Sequence, residues 1–261
     1  FINIPGNIIG KRAAMELKPD DIVNIGVGIP ETVTKYARES GILEKVTLTV
    51  ESGGVGGFPA SGKVFGAVIG ANSMYDMANQ FDLYNNGGLD ICFMGGMEVD
   101  KEGNVNAHRG PGAFAGIGGF ANITAKTKTV VFCLTFNAKG LDVDDQNGVI
   151  KIKNNGSIPK FVEKVNSISF SAKRAKANKQ KVLYVTERCV FELGDKGLIL
   201  SEVYPGVDIE KDILDLIPFK VEVNPILKYS KPAKKMESKT ISCKHHSFNS
   251  IFLLVFVLLN S

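Results

Sequence analysis

The sequence has no tryptophan, only three histidines and only four cysteines, and these scarcities remove several classes of chemistry. His108 stands alone in the body of the chain while His245 and His246 lie near its end, so there is no HxxxH or Cys/His ligand set and no metal site is expected. Cys92, Cys133, Cys189 and Cys243 are widely spaced without a CxxC. The first three sit in apolar runs (ICFMG, VVFCLTF, RCVFEL), which reads as reduced, buried thiols in an intracellular protein. A Ser or Cys nucleophile elbow is missing as well, so the His108-Arg109 pair supports no triad. Charge of one sign is also in short supply. The 31 Lys+Arg are nearly balanced by 27 Asp+Glu, and a net +4 spread over the chain does not imply nucleic acid. The strongly apolar run IFLLVFVLL, residues 251–259, falls short of the roughly 20 residues that span a membrane, so no membrane association is expected. No signal peptide is visible, and a chain beginning on Phe1 reads as a fragment or a processed product. A cytoplasmic location is expected, or the mitochondrial matrix in a eukaryote.

What is present suits a globular protein. With 44% hydrophobic residues in 261, the chain can build a substantial core in one large or two small domains. Residues 8–18 (IIGKRAAMELK) carry apolar residues at helical spacing and end at Pro19 and the Asp20-Asp21 turn. IVNIGVG (22–28) predicts a buried strand running into a glycine turn. Pro30 opens the helix PETVTKYARES, Gly41 closes it, and VTLTV (46–50) is the next strand, which together make a βαβ unit.

Residues 51–73 are very rich in glycine and predict a tightly turned loop with accessible backbone amides. FDLYNNGGLDICFMGGMEV predicts a turn followed by a buried strand. Residues 103–122 predict a second glycine-rich loop with a helix after it, and TKTVVFCLTF (127–136) another apolar strand. Beyond residue 140 the texture changes. GVIKIKNNG predicts a hairpin, VEKVNSISFS a strand, KVLYVTERCVFELGDKGLILSEV a pair of strands around Gly194-Asp195, and DIEKDILDLI a helix capped near Asp208. The expected fold class is therefore α/β: an open, mostly parallel sheet with helices on both faces plus added β-hairpins. One domain over 1–227 is expected, followed by an atypical tail, 228–261, in which six lysines precede the apolar run. There is no internal repeat at a fixed period.

Glu51 follows a strand directly and precedes SGGVGG, which puts it at the carboxyl end of a parallel strand, where ligand sites of open α/β sheets lie. A solvated strand-end acid is the ordinary alternative; the surrounding glycines favour a carboxylate placed among backbone N–H groups, able to accept bonds or to react. The turn Gly26-Val27-Gly28 begins like GxGxxG, but Glu31 stands where the third glycine belongs, so the dinucleotide reading is weak. Such a turn can hold an anion or an oxyanion, or can simply need glycine for its backbone. Gly116-Ile117-Gly118-Gly119-Phe120 is a second source of backbone donors, or a structural loop.

The order GVGIPE, TVESGGVGGFPASG, NNGGLD, GNVN with GIGGF, and YVTERCVFEL resembles the carboxyl-terminal domain of family I CoA-transferases. It is similar above all to the single-chain acetate and propionate CoA-transferases and, more distantly, to the β part of succinyl-CoA:3-ketoacid CoA-transferase. The resemblance runs from about residue 8 to about 225. It implies the CoA-transferase fold and a nucleophilic glutamate at Glu51. It also implies that Gly26, Val27 and Gly28 line the CoA thioester and that Gly118 and Gly119, with Val27 and Gly28, supply oxyanion donors. Coenzyme A would be a co-substrate, exchanged between a short-chain acyl-CoA and a carboxylic acid, with no permanently bound cofactor. Such enzymes need an amino-terminal domain or an α subunit of similar fold, so this chain is expected to act within a homo- or hetero-oligomer and to be incomplete alone. Two other readings stand beside this one: a non-catalytic or truncated module of the same fold, and a sugar-phosphate isomerase-like enzyme using a strand-end acid as a base.

Overall fold

Glycine and proline punctuate the apolar runs and set the first unit of the fold. Helix α1 (Ile4–Ala13) passes through one 3-10 turn at Ala14–Glu16 into strand β1 (Ile22–Ile25). A second 3-10 turn at Ile29–Glu31, with Pro30 early in it, leads into helix α2 (Thr32–Glu39). Strand β2 (Thr47–Thr49) returns parallel to β1, with Val23 opposite Leu48 and Asn24 opposite Thr49. The computed structural model describes residues 4–229 apart from 61–63, 65, 111, 112 and 115. The tail from residue 230, including Cys243 and the run 251–259, lies outside the described residues.

The chain then reverses into β3 (Gly54–Val55) and β4 (Ser73–Met74), crosses through helix α3 (Met77–Asn85), and enters β5 (Ile91–Met94). Helix α4 (Phe120–Lys126) precedes β6 (Thr129–Cys133), and helix α5 (Ala172–Ala177) precedes β7 (Lys181–Val185). Strands β8 (Cys189–Gly194) and β9 (Gly197–Val203), the short helix α6 (Ile209–Asp212) and β10 (Glu222–Tyr229) complete the described chain. The ten-stranded sheet runs β10-β9-β8-β7-β6-β5-β1-β2-β3-β4, and the five strands from β7 to β2 are mutually parallel. Strands β8, β3 and β4 run antiparallel to the neighbours they follow.

Alternation along the central strands feeds two cores. Ile91, Phe93, Val131 and Cys133 pack with Ile9, Ala13, Val33 and Ala37 of α1 and α2. Cys92, Met94, Val130 and Phe132 pack on the other face with Tyr84, Phe120, Ile123 and Ala175 of α3, α4 and α5. This is the expected α/β sheet with helices on both faces. An added hairpin is present, Leu141–Gln146 against Val149–Asn155, but GVIKIKNNG, expected to be a hairpin by itself, supplies only its second strand. Since β1 lies between β2 and β5, successive crossovers leave it in opposite directions, and the crevice beyond its carboxyl end is a topological switch point.

Three further expectations are corrected. FDLYNN, read as a turn, is helical to Asn85, because the Asp76 carboxylate caps α3 by accepting the Asn79 N–H at 2.8 Å and Gln80 and Tyr84 share its buried face. Of VEKVNSISFS only Val162, the second residue of the short strand Phe161–Val162, is strand, apart from a single bridge from Phe170 to Val105. There the Glu98 carboxylate takes the Asn166 backbone N–H at 3.0 Å and its side-chain amide at 2.6 Å, which replaces a ladder. KVLYVTERCVFELGDKGLILSEV holds three strands rather than two, since Thr186 Oγ1 accepts the Arg188 and Cys189 N–H groups and breaks the first run. The helix cap at Asp208 is as expected, its carboxylate accepting the Lys211 N–H at 2.9 Å.

Candidate active site

Strand β2 ends one residue before a tight reversal. The Gly53 N–H donates to the Val50 carbonyl and the Val50 N–H to the Gly54 carbonyl, both at 2.9 Å, so the chain doubles back between Val50 and Gly54. Gly53 has φ of 114°, and a Cβ there would run into the Tyr75 carbonyl, so this corner admits only glycine. Glu51 stands on the outside of the corner, partly exposed. It shares a cavity of about 450 Å³ with segments that follow β1 and β5 and with the loop before α4.

The cavity gathers most of the residues singled out from the sequence. Gly26 and Val27 line it after β1, Gly118 and Gly119 before α4, and Glu51 after β2. Gly28 is not among the lining residues, and its N–H is donated to the Glu31 carboxylate at 2.8 Å. The Gly26 N–H is likewise engaged, with the Phe93 carbonyl at 2.8 Å. Among the described residues no acceptor takes the N–H of Val27, Gly118 or Gly119, which leaves these three as donors for a ligand. Nor does any described residue donate to the Glu51 carboxylate or form an ion pair with it. An unpartnered carboxylate beside free backbone N–H groups is suited to attack a carbonyl to whose developing oxyanion those groups donate.

The remaining described walls are largely apolar, Met94, Met97, Ile117, Phe120 and Ile123 among them, and no Lys, Arg or His is among the described lining residues. His108 lies to one side, its Nδ1 2.6 Å from Ser169 Oγ and its Nε2 3.4 Å from Ser167 Oγ. Among the described residues no group of three or more His, Cys, Asp or Glu side chains is placed to hold a metal ion. No helix of the described residues is long and apolar enough to cross a membrane.

Residues that the sequence reading passed over complete the site. Asn24 lines the cavity and donates from Nδ2 to the Thr49 carbonyl at 3.2 Å. Its signal was present, as a lone amide in the apolar run IVNIGVG. Phe81 touches the Gly119 position from α3, and Tyr84 lies one turn further on, its ring edge-on to Phe81 with centroids 5.9 Å apart. Neither carries a local signal, because FDLYNN followed by two glycines has the residue pattern of a turn.

The coenzyme A transferase family profile matches residues 7–212. Caffeate CoA-transferase of Acetobacterium woodii is 42% identical over 249 residues, covering 94% of this chain and 46% of that protein. The acyl-CoA transferase YdiF of Escherichia coli O157:H7, solved as an apoenzyme and as a thioester complex with CoA, superposes with TM-scores of 0.83 and 0.82. Each of those comparisons has 38% identity over 87% of this chain and 43% of YdiF. The chain thus spans about half the length of these two relatives. By contrast, it aligns with 85% of the acetate CoA-transferase subunit beta of Haemophilus influenzae, at 30% identity over 78% of its own length. With its fold, its cavity and these likenesses in agreement, the chain belongs to the family I coenzyme A transferases as a β-subunit-like domain.

Proposed function

We propose that this chain is the half of a CoA-transferase that carries the nucleophile, Glu51, and that it moves CoA between a short-chain acyl-CoA and a carboxylic acid. The observation that carries the proposal is the Glu51 carboxylate, unpartnered and set against Gly119 in a cavity whose free N–H groups come from Val27, Gly118 and Gly119. Attack by a carboxylate needs no general base, which suits a cavity with no His or Lys among its described lining residues.

Glu51 attacks the acyl-CoA carbonyl, the C–S bond breaks, and an acyl-glutamyl anhydride forms with CoA thiolate as leaving group. The thiolate returns to the glutamyl carbonyl and expels the first carboxylate, leaving a glutamyl-CoA thioester. The acceptor carboxylate then attacks the thioester, and the released thiolate takes the new acyl group and frees Glu51. No net proton is gained or lost. Each tetrahedral oxyanion faces the backbone donors, and losing one such donor typically costs about 10²–10³ in rate. Tight binding of the remote pantetheine and nucleotide offsets the weak nucleophilicity of a carboxylate. That binding calls for a second CoA-transferase unit, as an amino-terminal domain or an α subunit, so the chain alone is inactive or very weak.

A sugar-phosphate isomerase is disfavoured because the described lining residues offer a phosphate no Lys or Arg. The test is to pair the chain with an amino-terminal CoA-transferase half, add acetyl-CoA, and search by mass spectrometry for a CoA adduct on the Glu51 peptide. A hydroxylamine-sensitive adduct that disappears in Glu51→Gln is expected; an adduct that persists in Glu51→Gln refutes the assignment.

A further inference from the structure

Thr49, two residues before Glu51, is held by a directed chain of hydrogen bonds that ends on helix α3. Gln80 Nε2 donates to the Tyr84 hydroxyl at 2.9 Å, Tyr84 donates to Thr49 Oγ1 at 3.0 Å, and Thr49 donates to the Val23 carbonyl at 2.9 Å. Asn24 Nδ2 reaches both the Tyr84 hydroxyl, at 3.4 Å, and the Thr49 carbonyl, at 3.2 Å. All four side chains are buried, Tyr84 completely. Placing four polar groups in an apolar core is expensive unless each is bonded, and a core that needed only bulk would use apolar residues here. The polar chain occurs at the single level of β1 and β2 from which Glu51 turns out and Asn24 enters the cavity.

The same helix touches the opposite wall. Phe81, one turn before Tyr84, lies against the Gly119 position that faces the Glu51 carboxylate. Helix α3 therefore spans the gap between nucleophile and oxyanion donors. We propose that the buried Tyr84 hydroxyl is a positioning group for Glu51, acting through Thr49 to fix the strand end from which the carboxylate projects into the cavity. This rests on the reading of Glu51 as nucleophile. Burial raises the Tyr84 phenol above its ordinary value, and the nearby negative charge of Glu51 adds to the effect, so the hydroxyl keeps its proton and its direction as a donor.

The test uses the chain paired with an amino-terminal CoA-transferase half, and compares Tyr84→Phe, Thr49→Val and Thr49→Ser with a control, Tyr184→Phe. The control deletes another buried hydroxyl, bonded to the Gly103 carbonyl away from the cavity. Misplacing a reacting group by about 1 Å can cost about 100-fold, so a fall in kcat of about 10-fold or more is expected for Tyr84→Phe and Thr49→Val, with KM for acyl-CoA nearly unchanged. Thr49→Ser restores kcat because it keeps the hydroxyl, the double variant Tyr84→Phe/Thr49→Val falls no further than the worse single, and Tyr184→Phe retains full kcat. A second readout needs no CoA: the rate at which a carbodiimide and an amine modify Glu51, relative to exposed Glu44, changes in Tyr84→Phe and Thr49→Val. Unchanged kcat with unchanged Glu51 labelling overturns the proposal, as does an equal loss of kcat in Tyr184→Phe. If the unaltered pair transfers no CoA, the transferase reading fails by itself, and the labelling ratio alone decides for or against positioning.

Discussion

Gly119 stands so close to Glu51 that a methyl group on its Cα would occupy the place of the carboxylate oxygen Oε2 and press on the Phe81 ring. Its backbone, at φ −76° and ψ −2°, is open to any residue, so glycine is required here for space rather than for conformation. In Gly119→Ala the flexible glutamate is displaced from its place beside the oxyanion donors. A fall in kcat/KM of about 100-fold is expected. Overpacking against Phe81 should cost stability by about 1–3 kcal/mol, leaving the protein folded. Kinetics of the paired halves and thermal melting check both numbers, and near-normal turnover in folded Gly119→Ala would remove the close approach from the mechanism.

Gly118 makes the opposite case. Its φ is 52°, and a Cβ there would meet nothing within 4 Å. Gly118→Ala is thus expected to lose about 1 kcal/mol through left-handed backbone strain, while the cavity keeps its volume. Urea denaturation should show that loss, and kcat/KM should suffer less than in Gly119→Ala. The reverse ranking would contradict the distinction between space and conformation.

The parallel core and the acid at the end of β2 were legible because they depend on local patterns: apolar runs of strand length, Pro30 at a helix start, and Glu51 wedged between a strand and glycines. What the sequence concealed depends on distant contacts. Asp76 caps a helix whose residues read locally as a turn, and with that helix went Tyr84 and Phe81, whose roles arise only when α3 packs on β2 and the loop before α4. Gly28 failed in the other direction. Its spacing matched a donor, but its N–H is consumed by Glu31, three residues away, a competition that spacing alone does not decide.

Glu187 and Arg188 form an ion pair with both side chains fully buried, Arg188 Nε donating to Glu187 Oε1 at 2.7 Å. Glu187 also accepts the Phe136 N–H at 2.8 Å, while Arg188 Nη1 donates to Asn155 Oδ1 and the Asp212 carbonyl. The guanidinium lies 4.4 Å from the Phe136 ring centroid. The pair thus ties together the loops after β6 and β7. Arg188→Met strands the glutamate charge in the core, and a loss of about 3–5 kcal/mol is expected, partly recovered in the double variant Glu187→Gln/Arg188→Met. Chemical denaturation decides, and a loss well below that range would mean that Glu187 finds another cation.

Burial pushes the Cys92 and Cys189 thiols up to about 12, and raises Cys133 as well. Thiolate is the reactive form, so none of the three should be alkylated by iodoacetamide in the native protein at pH 8, whereas all three should react once unfolded. Cys243 lies outside the described residues, so modification must be assigned by peptide mass spectrometry. Native labelling at Cys92 would show that the core opens under those conditions.

Acid stability should depend on Glu16. Its Oε1 accepts from Arg12 Nη1 at 2.8 Å and its Oε2 from Lys181 Nζ at 2.7 Å. Burial by itself would raise the Glu16 carboxyl, but the hydrogen bonds and charges of Lys181 and Arg12 outweigh it and hold the group below its ordinary value. A carboxylate depressed in the folded state stabilises the protein above its unfolded value, about 4.3, and that contribution disappears as pH falls through the lower folded value. Glu16→Gln removes the titrating group while keeping its size. The unaltered protein should therefore lose more stability than Glu16→Gln between pH 6 and the acid limit, and the gap between them should narrow as pH falls. Urea midpoints measured across that range test the sign directly, because parallel curves would mean that Arg12 and Lys181 do nothing for Glu16 that the unfolded chain does not already do.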